Sequence, residues 1–382
     1  MADVRRAMYA VYAVFILNGF AFASWASRIP QVRDALDLNP QTLGLVLLAI
    51  AVGSLVSMPL AGILIGRLGA ARTITAMVCV QAAGLTTAAV GVRDHVAVLV
   101  PGLFAVGFGS GTWDVAMNVE GAEVERRLKH SIMSRFHAGF SVGTVAGALG
   151  GSALIALGVS VTAHLLAVAA IILLIVPAAV RGFLTVEPHT ERHVRNPLKA
   201  WTERRTLLLG VFVLCMAFTE GTGIDWLGVA MIDGYGVAAA LGSLTFATFL
   251  AAMTLARWFG PAALDRYGRV ALNRALCICA IVGLLLVVFG GAVPLAMAGA
   301  ALWGVGVSQG FPVGMSAAAD DPRHAAARVS VVSSIGYLAF LTGPPLIGFL
   351  GHEVGTLRAL TAAAGMVTIG LLISGVLRPE RA

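Results

Sequence analysis

The chain has 382 residues, of which 58% are hydrophobic and only 12% are charged. Soluble domains carry about 25% charged residues, so this composition excludes a soluble globular protein and indicates one that lies in a lipid bilayer. The net charge of +7 does not indicate nucleic-acid binding, because the basic residues concentrate in short breaks on one predicted side of the membrane.

Twelve apolar blocks are long enough to cross a bilayer as helices, which takes about 20 residues each. Runs that alternate polar and apolar residues, as membrane β-barrels require, are absent from the sequence. We therefore predict an all-α membrane protein with twelve transmembrane helices in two pseudo-symmetric six-helix bundles. The predicted spans are 7–27, 43–65, 73–91, 96–119, 131–157, 163–184, 206–231, 238–258, 272–291, 294–318, 329–351 and 357–377.

The basic residues predict the orientation of these helices. With both termini in the cytoplasm, every Lys and Arg falls on the cytoplasmic side, including Arg257 at the end of block eight, except for Arg28, Arg33, Arg93 and Arg358. The positive-inside rule favours this arrangement. We expect a multi-pass protein of the cell inner (plasma) membrane with cytoplasmic termini.

Polar residues in blocks one and four are the first candidates for a site. A charge inside a spanning helix costs about 2.5–3.5 kcal/mol, so it needs a partner, a wet cavity or a proton. Asp114 has Asn118 one helical turn further on. This acid either titrates with a transported proton, binds solute or hydrogen-bonds to a neighbouring helix. In block one, Asn18 and Trp25 offer amide and stacking contacts to a substrate.

Block five carries a polar stripe and a glycine stripe. His137 lies one turn before Ser141 and three residues after Ser134. Histidine titrates near neutral pH, so His137 is either a proton relay beside a substrate-binding Ser141 or a packing residue. Glycine at every fourth position allows close helix packing, either static or as a sliding seam: Gly139, Gly143, Gly147 and Gly151.

The longest polar stretch separates two halves. We predict an N-terminal bundle at 1–185, a cytoplasmic linker at 186–205 and a C-terminal bundle at 206–382. The glycines of block four recur in block ten at a constant offset: Gly102, Gly107 and Gly109, then Gly299, Gly304 and Gly306. A repeated six-helix unit predicts a pseudo-twofold axis along the membrane normal.

Block seven contains two acids, Glu220 and Asp225. Five residues correspond to about 500° of helical rotation, so the two do not share a narrow face. Glu220 is the deeper residue and a candidate for proton coupling. Asp225 and Trp226 lie nearer the outer end, where they either form a gate or bind substrate.

Blocks ten and eleven add polar residues that suit a hydroxyl-rich solute. Block eleven has one polar face at the spacing i, i+3, i+4, i+7: Ser330, Ser333, Ser334 and Tyr337. This face either lines a solute path or forms interhelical hydrogen bonds. Gln309 in block ten is a further candidate substrate contact.

Two breaks half a chain apart match each other. Gly66-Arg67-Leu68-Gly69-Ala70-Ala71-Arg72 follows block two, and Asp265-Arg266-Tyr267-Gly268-Arg269 follows block eight. The chain resembles the major facilitator superfamily, whose members place G-x-x-x-D-R-x-G-R-R at these loops. Gly66 replaces the acid of the first copy, and Pro261 replaces the first glycine of the second.

Three segments resemble the MosC-like branch of that superfamily, which is related to the fucose permeases: GTWDVAMNVEG (111–121), SRFHAGFSVGTVAG (134–147) and EGTGIDW (220–226). The resemblance implies a secondary transporter that works by alternating access and is often proton-coupled. Loop contacts that form only when the inner side is shut would then involve Arg67, Arg72, Asp265, Arg266 and Arg269.

We therefore expect a proton-coupled transporter of a small polar solute such as a sugar, a polyol or a similar metabolite. Its partners are a small-molecule substrate, protons and the lipid bilayer, and not nucleic acid. We expect a monomer that needs no cofactor or metal and is not an enzyme. Two alternatives stay open, namely a proton-antiport exporter of drugs or metabolites and a non-transporting membrane sensor or scaffold.

Overall fold

The computed structural model describes residues 2–93, 95–128, 132–184, 197–321 and 324–379. Over these ranges the chain forms helices joined by short turns, and no strand occurs. Short 3-10 helices lie at Val180–Gly182, Pro197–Thr202 and Ser374–Leu377. The α-helices are α1 (Ala2–Ala26), α2 (Ile29–Ala35), α3 (Pro40–Leu68), α4 (Ala70–Gly91), α5 (Val96–Leu128), α6 (Met133–Ala156), α7 (Val161–Ala179), α8 (Arg204–Tyr235), α9 (Ala239–Tyr267), α10 (Arg269–Phe289), α11 (Val293–Val307), α12 (Gly310–Ala318), α13 (Ala325–Val354), α14 (Thr356–Ala359) and α15 (Thr361–Ile373).

Within the described residues, 11 helical segments are long and apolar enough to cross a membrane. The predicted tenth span, 294–318, is not among them because it divides into α11 and α12 at Ser308 and Gln309. A break inside a span frees backbone groups, and these groups need partners where no water reaches them.

Local sequence explains where several helices begin. The side chain of Asn39 accepts a hydrogen bond from the N–H of Thr42 at 2.8 Å and so caps α3. Ser160 caps α7 by accepting from the N–H of Ala163 at 3.2 Å. Gly69 and Gly268 separate α3 from α4 and α9 from α10 with φ angles of 78° and 76°. Both positions need glycine's access to positive φ, which explains the glycine that the two matched breaks share.

Backbone contacts divide the chain into two compact units. The first comprises Met1–Thr190 with Ala239–Ala247, and the second comprises Glu191–Ala238 with Thr248–Ala382. Residues 186–196 of the predicted linker lie outside the described residues, so the predicted boundaries at 1–185, 186–205 and 206–382 stay predictions.

The two units share a packing pattern. In the first unit α1 packs against α6 and α4 packs against α5. In the second unit α8 packs against α13 and α10 packs against α11. In each unit the first span therefore meets the fifth and the third meets the fourth, as the repeat in the sequence predicts.

Glycine brings α1 and α6 into backbone contact. A Cβ atom on Gly143 would meet the carbonyl oxygen of Ile16, and one on Gly19 would meet that of Phe140. At Gly139 the nearest atoms are the side chains of Ile16 and Tyr12, both at 3.4 Å. The close packing predicted from the glycine stripe is confirmed, and it is tightest at Gly143.

Candidate functional site

An ion pair lies inside the second unit. Glu220 stands near the middle of α8 and Arg257 stands about two-thirds of the way along α9. Nη2 of Arg257 donates to Oε1 and Oε2 of Glu220 at 2.7 Å and 2.8 Å. The side chains are 18% and 26% exposed, respectively. Arg257 therefore neutralises Glu220 at a depth where a lone charge is costly.

Arg257 also satisfies the break between α11 and α12. Pro312 has no N–H, so the carbonyl of Ser308, four residues earlier, loses its helical partner. Nε of Arg257 donates to that carbonyl oxygen at 3.0 Å. Gln309, which is buried, donates through Nε2 to the carbonyl of Ala256 at 3.1 Å. The acid, the cation and the broken helix thus form one connected structure, which we call the ion-pair site (Glu220, Arg257, Ser308 and Gln309).

The sequence did not predict this pairing. Charge distribution alone assigns Arg257 to the cytoplasmic end of block eight, and it gives Glu220 no partner. The structure instead has α9 continuing to Tyr267, well beyond Arg257, with the guanidinium directed at Glu220. The predicted block, 238–258, is nine residues shorter at this end than α9.

Asp114 lies in the first unit and has a polar neighbourhood. Nδ2 of Asn118 donates to the carbonyl of Asp114 at 2.9 Å and lies 3.5 Å from Oδ1. Oδ1 of Asn18 accepts from the hydroxyl of Ser110 at 3.4 Å, and its Nδ2 lies 3.6 Å from the sulfur of Met117. Ser110 and Met117 flank Asp114 by one turn, so Asn18 packs against the same face of α5. Among the described residues, no cation pairs with Asp114.

Asp225 is partly buried in α8 and makes no hydrogen bond or ion pair within the described ranges. The next residue, Trp226, is fully buried, and its indole N–H has no partner in the part of the chain that is described. Trp25 is 3% exposed. Both predicted aromatic contacts are therefore packed inside their own units, and a solute would reach them only if the surrounding helices part.

His137 and Ser141 differ in their surroundings. The imidazole of His137 is exposed and meets the ring of Phe15 edge-on, with 5.3 Å between ring centroids. Ser141, one turn later, is buried. The side chain of Ser134 lies outside the described residues. The predicted relay through this stripe stays a prediction.

The serine face of α13 lies in the second unit. The hydroxyl of Ser334 donates to the carbonyl of Ser330 at 2.8 Å, whereas that of Ser333 lies 3.7 Å from the sulfur of Met315. The ring centroids of Tyr337 and Phe340 are 6.1 Å apart. Phe340 is 38% exposed. Phe340 was not singled out from the sequence, because one more aromatic residue in an apolar block carries no signal.

One predicted gating residue takes part in a charge cluster at the end of the tenth span. Nη1 of Arg269 contacts Oδ1 of Asp320 at 2.6 Å, and Nη2 of Arg205 contacts Oδ2 at 2.8 Å. Burial alone would raise the pKa of Asp320, but hydrogen bonds from the two guanidinium groups outweigh burial and hold that pKa below its ordinary value. The sequence missed Asp320 because its two partners lie far away along the chain.

The other predicted gating residues are exposed. The guanidinium of Arg266 lies over the ring of Tyr267, 5.2 Å from its centroid. Asp265 has no ion pair within the described residues, and Arg67 and Arg72 are solvent-exposed. Their role as gates stays a prediction.

Solved structures show which class of protein has this fold. The chain is similar to the nucleoside transporter NupG, with a TM-score of 0.76 and 13% identity over 97% of this chain and 98% of that one. It is similar to a bacterial homolog of the human lysosomal transporter Spinster, with a TM-score of 0.74, 14% identity and 98% of both chains covered. A variant of the E. coli fucose:proton symporter FucP gives a TM-score of 0.65 at 16% identity over 97% and 98%. The fold is thus that of a multi-span membrane transporter.

Sequence comparison then gives the family. The chain belongs to the Major Facilitator Superfamily, whose family profile matches residues 11–330. It is 33% identical over 359 residues to the uncharacterized transporter y4wD of Sinorhizobium fredii, covering 93% of this chain and 94% of that one. It is 28% identical over 377 residues to the membrane protein MosC of Rhizobium meliloti, covering 96% and 88%.

These findings confirm the predicted family and its MosC-like branch. The protein is a multi-pass membrane transporter of small molecules and not an enzyme, and alternating access is typical of its fold.

Proposed function

We propose that this protein moves a small polar solute, namely a sugar, a polyol or a similar metabolite, across the inner membrane by alternating access coupled to protons. The observation that carries the coupling is a pair of carboxyl groups, Asp114 in α5 and Asp225 in α8, that lie within spanning segments without a cation among the described residues. Ionised carboxylates are costly at such positions. A bound proton neutralises the carboxylate and removes this cost. We therefore propose that each group binds a proton when its surroundings are dry and releases it when water reaches the group.

Glu220 plays a different part in this proposal. Arg257 already compensates its charge, so a proton on Glu220 has to displace a hydrogen-bonded guanidinium. The carboxyl of Asp114, which lies 3.5 Å from Nδ2 of Asn118, has no cation to displace among the described residues and is the proposed proton carrier. His137, exposed on α6, is suited to pass protons between the aqueous side and the bundle.

The environment of the protein follows from its charges. We place both termini in the cytoplasm and the spans in the inner membrane, because the positive-inside rule then accounts for nearly all basic residues. We propose a monomer whose halves, 1–185 and 206–382, move against each other about the solute. In this scheme Arg67, Arg72, Asp265, Arg266 and Arg269 contribute to contacts that hold the cytoplasmic side shut.

Transport assays in proteoliposomes test the function. Vesicles that contain the purified protein and an internal pH dye are supplied with a panel of radiolabelled neutral sugars and polyols, under inward and outward solute gradients. We expect solute flux with a matching change in lumenal pH, and we expect Asp114→Asn to abolish the proton flux. Glu353→Gln, which changes an exposed acid at the end of α13, is the matched control and should leave both fluxes intact.

Solute flux without any proton movement, at a rate equal in wild type and Asp114→Asn, would refute the coupling. The two gradient directions also decide between uptake and export. A protein that releases drugs or metabolites only against an opposing proton gradient would be an exporter.

A further inference from the structure

We propose that the ion pair of Glu220 and Arg257, together with the ring of Phe340, binds a neutral polyhydroxylated ring such as a pyranose or a cyclitol. This inference rests on the proposed function and names the class of solute and the groups in the second unit that recognise it. Three features of the second unit carry it, namely spare hydrogen-bonding capacity, an adjacent exposed aromatic ring and the broken helix.

The ion pair has hydrogen-bonding capacity left over. Arg257 uses Nη2 for Glu220 and Nε for the carbonyl of Ser308. Its Nη1 makes no hydrogen bond with the described residues and is not fully buried. The Glu220 carboxylate, which has about four lone-pair sites, receives only the Nη2 nitrogen. Two adjacent hydroxyls of a ring could thus donate to Glu220 and accept from Nη1 of Arg257.

An aromatic ring lies beside the residue that follows Glu220 in the chain. Gly221 follows Glu220 in α8, and a Cβ atom there would come no closer than 3.9 Å to any atom, the nearest being Cδ1 and Cε1 of Phe340. Phe340 is 38% exposed, so the neighbouring helices leave part of its side chain uncovered. Because Gly221 has no side chain, none lies between the backbone of α8 at this point and that edge of the Phe340 ring. A pyranose or cyclitol has C–H groups for the ring and hydroxyls for the pair, and ligand sites combine such apolar walls with a few polar groups.

The broken helix supports the same location. In secondary transporters, discontinuous helices mark solute and ion sites near the middle of the membrane. Here the break at Ser308 and Gln309 contacts α9 at Arg257 and at the preceding residue, Ala256. The pair carries no net charge, so a neutral solute can bind without leaving a buried ion uncompensated. This favours a neutral polyol over an ionised solute.

Isothermal titration calorimetry of the purified full-length protein in detergent tests the site. The probes are D-glucose, L-fucose and myo-inositol, together with a monodeoxy analogue of whichever binds. We expect Arg257→Lys to raise the Kd about tenfold or more, as the loss of one charged hydrogen bond would. Phe340→Leu should also raise the Kd about tenfold, because it removes the aromatic face against which the C–H groups of the solute pack. The matched controls are Leu255→Ala and Leu338→Ala, which truncate exposed residues two positions before Arg257 and Phe340. They should change the Kd less than about twofold.

A variant of Arg257 that fails to fold does not end the test, because Phe340→Leu and the deoxy analogue probe the same site. The deoxy analogue should lose affinity for the wild type and lose none further in Arg257→Lys. Equal binding of a sugar by wild type, Arg257→Lys and Phe340→Leu would overturn this inference and leave the proposed function standing. If the wild type neither binds nor transports any of the three probes, the proposed solute class falls and this site falls with it.

Discussion

Arg257 donates through one nitrogen to both carboxylate oxygens of Glu220, at 2.7 Å and 2.8 Å, although α8 and α9 both lie in segments that span the membrane. Each charge is thereby tolerated because the other is present. The pair does not stand alone, since the guanidinium also satisfies the backbone of the broken tenth span. Loss of the Arg257 guanidinium would therefore leave two groups unpaired, the carboxylate of Glu220 and the carbonyl of Ser308.

Removing only one partner of this pair should destabilise the protein strongly. We expect Arg257→Gln to lower the free energy of unfolding by about 3–5 kcal/mol, because it leaves the largely buried Glu220 charged and without its partner. Adding Glu220→Gln should recover a large part of that loss, since two neutral amides replace two charges. Denaturant titrations of the detergent-solubilised single and double variants measure the coupling. Losses that simply add would contradict an energetic link between the two residues.

The cluster around Asp320 predicts how stability depends on pH. Because Arg269 and Arg205 hold the pKa of Asp320 below its ordinary value of 3.8 in the folded state, the folded protein binds this proton less readily than the unfolded chain. Its contribution to stability is complete above that ordinary value and is lost as the pH falls through the lower folded pKa. Melting temperatures recorded from about pH 6 to pH 3 should therefore drop less steeply in Asp320→Asn than in wild type.

A matched control separates this cluster from general acid effects. Asp265 is an exposed carboxyl without an ion pair among the described residues, and Asp265→Asn should keep the pH profile of the wild type. At neutral pH we expect Asp320→Asn to lower the free energy of unfolding by about 1.5–3 kcal/mol, the value of hydrogen bonds to a charged group. Profiles that coincide for Asp320→Asn and wild type would show that the contacts with Arg269 and Arg205 contribute nothing.

Apolar length was enough to predict most of the helices. A run of about 20 apolar residues has few alternatives to a spanning helix, and the repeat of short breaks and glycines correctly indicated a doubled bundle. The positive φ angles of Gly69 and Gly268 show why the matched breaks keep a glycine at this point. These features depend on local sequence alone.

The broken tenth span was missed, although the sequence held a signal for it. Pro312 lies four residues after Ser308 and cannot supply the N–H that the carbonyl of Ser308 would need in a continuous helix. Hydrophobicity alone predicts one continuous helix over 294–318 and does not register the effect of Pro312. The partner that makes the break tolerable, Arg257, comes from another helix. Contacts of this kind depend on tertiary packing, so the pairing with Glu220 could not be derived from spacing.

Close packing of α1 and α6 predicts opposite effects for two glycine substitutions on one helix. A Cβ atom on Gly143 would meet the carbonyl oxygen of Ile16, whereas nothing lies within 4 Å of one on Gly150. Gly143→Ala should destabilise the protein by about 1–3 kcal/mol, because the helix backbones must move apart. Gly150→Ala should be neutral or stabilise by up to about 1 kcal/mol through helix propensity. Thermal unfolding in detergent compares them, and equal melting temperatures would argue against tight packing at Gly143.

Arg28 and His164 form a buried contact within the first unit. Arg28 is 1% exposed, its Nε donates to Nδ1 of His164 at 2.8 Å, and its Nη1 donates to the carbonyl of Val159 at 3.0 Å. Nη2 is buried without a partner among the described residues. Because Nδ1 accepts this bond, His164 is neutral. The buried guanidinium of Arg28 needs this acceptor, because it cannot hydrogen-bond to bulk water as an exposed arginine would.

Substitutions of His164 should therefore differ according to the acceptor they retain. His164→Leu leaves a second nitrogen of Arg28 unpaired and should cost about 2–3 kcal/mol of unfolding free energy, the upper range for a hydrogen bond to a charged group. His164→Gln keeps an acceptor oxygen and should cost less than half of this. The control is Thr162→Val two residues earlier, which removes a hydroxyl that accepts from the exposed Arg93 at 3.2 Å and donates to the carbonyl of Ala89 at 3.1 Å but does not contact Arg28. If denaturant titrations rank His164→Gln with His164→Leu, packing rather than the hydrogen bond determines stability at this position.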